Sequence, residues 1–185
     1  MARTVPPKDY VDAVPFPESI VAQSIGRVCS PYRERHGTPR QAVVVAGTKG
    51  AQAQDATVEL DVHKVPSEAI GGLEGFDYVW LITWLHLNDR WNATVVPPRG
   101  PKVRRGVLST RAPHRPNPIG LTAARLVRVE GHILRLEGID LLDGTPVLDV
   151  KPYVPYCDAF PDARSGWLDA LEGPLLGPDR PTRKG

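Results

Sequence analysis

The chain has 185 residues, 41% hydrophobic and 24% charged, with a formal net charge of +2, which is enough for one domain with a real core and short for two. Its 20 prolines are about twice the usual share and argue for many loops and against a helical bundle. Cys29 and Cys157 are too few for a disulfide scaffold; they are expected as reduced thiols in a cytoplasmic protein, with a single bridge as the alternative, and no apolar run has signal-peptide or membrane-spanning length.

Residues 1–19 carry four prolines and little periodicity, and read as an arm packed on the body or on a neighbour. "IVAQSIGRVCSPY" predicts a first strand ending at Ser30-Pro31, and "TPRQAVVVAG" carries a short β-branched run, Val43 to Val45. "ATVELDVH" alternates, with Val58, Leu60 and Val62 on one face. "VPSEAIGGLEGF" predicts one or two helical turns capped by Ser67 before its glycines.

"DYVWLITWLHL" is apolar on both faces and predicts a central strand covered on both sides, with His86 at its end. "RRGVLST" reads as a further strand closed by Arg111. "LTAARLVRVEG", "HILRLEGIDLL" and "TPVLDVKPYV" follow, with breaks at Glu130-Gly131 and Asp143-Gly144; the Asp-Gly pair is a hairpin signal. A short helix is expected within 162–172, then a loose tail. The strands predict a mainly β fold, a single compact β-barrel with short helices. The expected division is an arm at 1–19, a barrel domain at 20–160, and a C-terminal helix and tail at 161–185.

From Arg90 to Val129 there is no Asp or Glu, yet the window holds Arg90, Arg99, Lys102, Arg104, Arg105, Arg111, Arg115, Arg125 and Arg128. Such a local field suits a phosphate-rich partner, and a solvated basic face is the plainer reading. No GxGxxG, P-loop, HExxH, CxxC or GxSxG motif is present, and five scattered histidines give no reason to expect a metal.

The stretch "STRAPHRPNPIGL" sets Pro113, Pro116 and Pro118 among Arg111, His114, Arg115 and Asn117. Prolines lack a donor and fix φ, so this is a stiff polar loop. Polar groups also fall at strand ends: His86, Arg111, Asp140 and Asp143. Acidic residues in a turn are ordinarily turn formers. Strand ends of a barrel share a rim, so these groups could converge on a ligand.

"IGRVCSPY", "PRQ", "GLEGFDYVWLITWLH", "RGVLSTR", "RPNPIGL" and "DLLDGTPVLDVKPY", in this order and spacing, resemble the TsaA/TrmO-like family over about residues 25–156. Characterised members are S-adenosylmethionine-dependent tRNA methyltransferases with a β-barrel fold, found as homodimers, that act on the exocyclic nitrogen of threonylcarbamoyl-adenosine beside the anticodon. The resemblance implies cofactor contacts from Gln41, Ala42, Val43, Leu85, His86, Arg111, Leu121, Glu137, Gly138, Ile139, Asp140 and Leu141. Arg111 would meet the cofactor carboxylate and Asp140 its ammonium or ribose hydroxyls; Leu85, Leu121 and Leu141 would form an adenine slot.

On this reading the proline loop holds cofactor and tRNA groups in register. Arg115 and Asn117 would face substrate, and Arg104 and Arg105 would contact phosphates. Asp143, then His86, are the expected bases. The chain departs from the family at Ala42-Val43, where Pro-Gly is frequent, and at Ala112-Pro113, where hydroxyl residues are common. It is also expected to lack the C-terminal extension of some members. Two other functions fit the same features. A non-catalytic RNA-binding barrel would bind tRNA without the cofactor, and a small-molecule methyltransferase would bind the cofactor without salt-sensitive tRNA affinity.

Overall fold

The computed structural model describes residues 17–34, 55–98 and 100–171. The expected arm up to residue 16, the Val43–Val45 run, Gln41, Ala42, Arg99 and the tail from residue 172 lie outside them.

Inward positions alternate with outward ones at period two, and six strands close around them. These are β1 (Gly26–Cys29), β2 (Ala56–Leu60), β3 (Tyr78–Trp84), β6 (Ile119–Glu130), β7 (Ile133–Glu137) and β8 (Pro146–Pro152). They form a closed antiparallel barrel in the order β1-β2-β7-β6-β3-β8. The core is Val28, Val58, Val79, Leu81, Leu134, Leu136, Ile139 and Val147, all nearly or wholly buried. Burial of each such side chain stabilises the fold by about 1.5–3 kcal/mol. Closure leaves the barrel without an open edge. At Gly26 a Cβ would run into the Glu59 backbone, so only glycine lets β1 approach β2 this closely.

The β-barrel expectation holds, with local corrections. Val62 lies beyond β2 and is exposed. Residues 65–76 form two 3-10 turns, Ser67–Ala69 and Leu73–Gly75; the first is preceded by Pro66, and Ser67 makes no side-chain cap. β3 is fully covered on the inside only: Val79, Leu81 and Thr83 are sealed, while Tyr78 and Trp84 on the outer wall are exposed. "RRGVLST" is not a barrel strand. Its Arg105–Gly106 is β5, which pairs with β4 (Thr94–Val95) in a separate ribbon, and Val107–Ser109 is a 3-10 turn.

Gly131, at φ +59°, turns the β6–β7 hairpin. Asp143-Gly144 does not turn a hairpin, because β7 and β8 are not neighbours. Their connection crosses the barrel end, and β8 joins β1 and β3 instead. Within 162–172 the only helical piece among the described residues is a 3-10 turn, Gly166–Leu168. A short helix not expected from the sequence, α1 (Pro155–Asp158), follows β8. Its Asp158 Oδ2 accepts from Trp80 Nε1 at 3.0 Å on the outer wall.

Candidate active site

Antiparallel closure brings the ends of β1, β3 and β7 and the starts of β2, β6 and β8 to one rim. The proline loop and the β7–β8 connection lie there, and hydrogen bonds lace the segments together. Leu85 N donates to Pro118 O at 2.7 Å, fastening the end of β3 to the proline loop. Ser30 Oγ donates to Leu141 O at 2.8 Å. Asp143 N donates to Tyr32 O at 2.7 Å, and Asp143 Oδ1 accepts from Ser30 N at 3.1 Å. These bonds replace the hairpin that β7 and β8 lack.

Arg111 stands beyond the 3-10 turn, exposed, and its Nη2 donates to Leu121 O at 2.9 Å. The next residue, Thr122, is buried and donates its hydroxyl to Asp140 Oδ1 at 3.1 Å. A cation from one loop and a carboxylate from another are thus tied to consecutive residues of β6. The Arg111 bond uses only part of that group's capacity, since a guanidinium has five N–H donors.

The proline loop is braced from within. Arg115 is half-buried and its Nη1 donates to Thr110 O at 2.7 Å and to Val107 O at 3.3 Å. Its guanidinium is therefore engaged with its own loop, whereas Asn117 is exposed. His114 Nδ1 lies 3.2 Å from Arg90 O. The loop's stiffness comes from its prolines together with this arginine.

Other expected site residues are placed as follows. Leu85 is half-buried against the core and His86 is exposed just past β3. Glu137 bonds Arg125 across the outer wall at 2.6 Å, Gly138 has φ +77°, and Ile139 and Leu141 point into the core. Leu121 lies on the outer wall opposite Ile82, so Leu85, Leu121 and Leu141 do not share one face. Arg104 donates to Thr94 Oγ1 at 2.9 Å along the ribbon, and the Arg105 guanidinium sits 4.5 Å above the Trp167 ring.

The basic window is not one uniform field. Arg125 pairs with Glu137, and Arg128 with Glu130, both partners coming from outside the window. At the rim end of β1, burial pushes the Cys29 thiol up, keeping it protonated and a poor nucleophile at neutral pH. Cys29 and Cys157 are both unbridged. Among the described residues no cluster of metal ligands occurs and no helix is long and apolar enough to cross a membrane.

Ser30, Thr122 and Trp167 join the site although no motif in the sequence marks them. A threonine at an inward strand position, as in "LTAA", is a usable signal, because a buried hydroxyl needs a partner. Ser30 and Trp167 are hard to pick out locally, since the carbonyls they donate to, Leu141 O and Ser109 O, are over fifty residues away in the chain.

Fold and rim together define a small closed β-barrel with a loop-built polar site at one end. The chain belongs to the tRNA-methyltransferase O N-terminal domain family, whose profile matches residues 27–159. It is 38% identical over 155 residues to the "tRNA (adenine(37)-N6)-methyltransferase" of Escherichia coli, covering 80% of this chain and 63% of that protein. It is 42% identical over 138 residues to a "Probable S-adenosyl-L-methionine-binding protein" of Methanothermobacter thermautotrophicus, covering 74% of this chain and 91% of that one. The crystal structure of TrmO from Pseudomonas aeruginosa superposes with a TM-score of 0.66 at 40% identity, over 84% of this chain and 65% of the other. The chain therefore spans less than two thirds of the Escherichia coli and Pseudomonas proteins.

Proposed function

We propose that this rim is the site of an S-adenosylmethionine-dependent tRNA methyltransferase, acting on the exocyclic nitrogen of threonylcarbamoyl-adenosine beside the anticodon. One observation carries the reading: Arg111 and Asp140 are fastened to Leu121 and Thr122, adjacent residues of β6. A guanidinium and a carboxylate held at consecutive positions of one strand suit the carboxylate and ammonium of an amino-acid end group. In this proposal loop carbonyls accept from the ribose hydroxyls, and Leu85 offers apolar surface to the rest of S-adenosylmethionine. When bound, the cofactor supplies a methyl group from its sulfonium centre.

Backbone of Glu137 to Leu141 faces the cofactor in this proposal, since their side chains turn outward or into the core apart from Asp140. Asp143 is proposed as the base that takes the proton from the urea nitrogen, with His86 second. Arg104, Arg105 and Asn117 meet RNA, and Arg115 keeps the loop in shape. The proposed division has the arm at 1–19, the barrel domain at 20–160 and the C-terminal segment at 161–185. A homodimer is proposed as well. Tyr78, Trp84, Ile119 and Leu121 leave the outer wall of β3 and β6 apolar and exposed, at 38%, 36%, 46% and 48%. Sedimentation tests this through the mass of the particle. The tRNA substrate and the unbridged cysteines support a cytoplasmic location.

The test of function is calorimetry with S-adenosylmethionine, followed by mass spectrometry of tRNA that carries threonylcarbamoyl-adenosine. Binding and the gain of one methyl group on that nucleoside are expected. Binding without transfer to RNA would favour a small-molecule methyltransferase, and RNA binding without cofactor binding would leave only an RNA-binding barrel.

A further inference from the structure

Among the described residues, three contacts of the C-terminal segment fall on the long excursion between β3 and β6. Trp167 Nε1 donates to Ser109 O at 2.8 Å, where the proline loop begins. The Trp167 ring lies under the Arg105 guanidinium at 4.5 Å. Leu171 packs on Gly100, where a Cβ would stand 2.6 Å from Leu171 Cδ2, and Gly100 has φ +76°. The ribbon itself gives these residues little support, for β4 and β5 pair over two residues each. A two-stranded ribbon this short is not stable alone.

We infer that Trp167 is a positioning residue that sets the ribbon and the proline loop against each other, through Arg105 on its ring face and Ser109 on its indole nitrogen. This rests on the function proposed above, which puts RNA at Arg105 and the cofactor at Arg111. Ser109 is two residues before Arg111, so the indole hydrogen bond holds the base of the loop that presents the guanidinium. The stacked ring holds the side chain that meets phosphate. One indole thus acts on both ligands by two separable contacts, a cation–π contact and a hydrogen bond.

Two variants separate the contacts. Trp167→Ala removes both; Trp167→Phe keeps a ring for Arg105 and loses the donor to Ser109. Affinities for S-adenosylmethionine and for tRNA bearing threonylcarbamoyl-adenosine are to be measured on the full chain, with thermal midpoints alongside. Trp167→Ala is expected to weaken both by about fivefold. Trp167→Phe is expected to restore RNA affinity to within about twofold of wild type while cofactor affinity stays about fivefold weaker. Equal losses in both titrations for both variants, tracking the thermal midpoint, would show a merely structural residue and overturn the inference. So would wild-type affinities in Trp167→Ala.

If the wild type fails to bind either ligand, the proposed function falls, and amide exchange decides the positioning role. Faster exchange over residues 105–112 in Trp167→Ala, with β3 and β6 unchanged, upholds it. Unchanged exchange over 105–112 overturns it.

Discussion

Thr122 on β6 donates its hydroxyl to the Asp140 carboxylate, 3.1 Å away on the loop that follows β7. The bond reaches from a buried strand position to the rim and orients the acidic group there. Thr122→Val keeps the shape of the side chain and removes the donor. About 1–2 kcal/mol of stability should be lost, because the carboxylate loses one of its hydrogen bonds. Cofactor affinity should fall with it. Denaturant unfolding and calorimetry on the same variant measure the two effects.

Arg111 is exposed, so its removal should leave the fold intact and act on ligand. Arg111→Ala is expected to weaken S-adenosylmethionine binding at least about tenfold, as a charge-assisted contact contributes roughly 1.5–3 kcal/mol. Calorimetry on a variant with a wild-type thermal midpoint checks this. Unchanged affinity would remove Arg111 from the site.

Gly120 faces Thr83 across the β3–β6 pair, and a Cβ there would strike the Thr83 hydroxyl and press on Leu85. Thr83 is sealed in the core and its Oγ1 has no hydrogen-bond partner. Gly120→Ala should cost about 1–3 kcal/mol by overpacking. Thr83→Ala in the same chain should recover part of it, so the double variant would be less destabilised than the sum of the singles. Strict additivity in thermal unfolding would rule out this steric clash as the cause.

Two cross-strand carboxylates should shape the acid limb of stability. The hydrogen bond from Arg27 holds the Glu59 carboxyl below the usual carboxylate range, and Arg135 does the same for Glu130. A folded value below the unfolded one means the contribution is fully present above the unfolded value of about 4.3 and is lost as pH falls through the folded value. Glu130→Gln should therefore flatten the decline in stability below about pH 4.3. High salt should flatten it too, because these pairs are exposed. Unfolding curves over an acid series at two salt concentrations test the sign.

The ribbon arginines predict a salt signature. Arg104→Glu with Arg105→Glu should weaken tRNA binding and reduce its log–log salt slope by about 0.7–0.9 for each phosphate that is no longer neutralised. S-adenosylmethionine affinity should scarcely change, since neither residue lies on the proline loop or the β7–β8 connection. A salt series by filter binding and one cofactor titration make the comparison.

Sequence alone determined the local features of this protein. Alternating residues such as Val58 and Leu60, or Leu134 and Leu136, mark their strands because burial on one face imposes a period of two. Gly131 marks its turn and the three prolines mark their loop, because these residues restrict or free the backbone by themselves. The family motifs span most of the barrel for the same reason, being short runs in a set order. Pairings between distant residues were decided only by the tertiary structure. Asp143-Gly144 has the composition of a hairpin, yet closure sends β8 to β1 and β3, so its turn is held by Ser30 and Tyr32 instead. The acid-free window is a field only along the chain; folding places Glu137 beside Arg125 and Glu130 beside Arg128. Thr122 finds Asp140, and Trp167 finds Arg105 and Ser109, because closing the barrel and laying the C-terminal turn across the ribbon bring them together. Those pairings depend on which segments pack side by side, and no local pattern of residues encodes that.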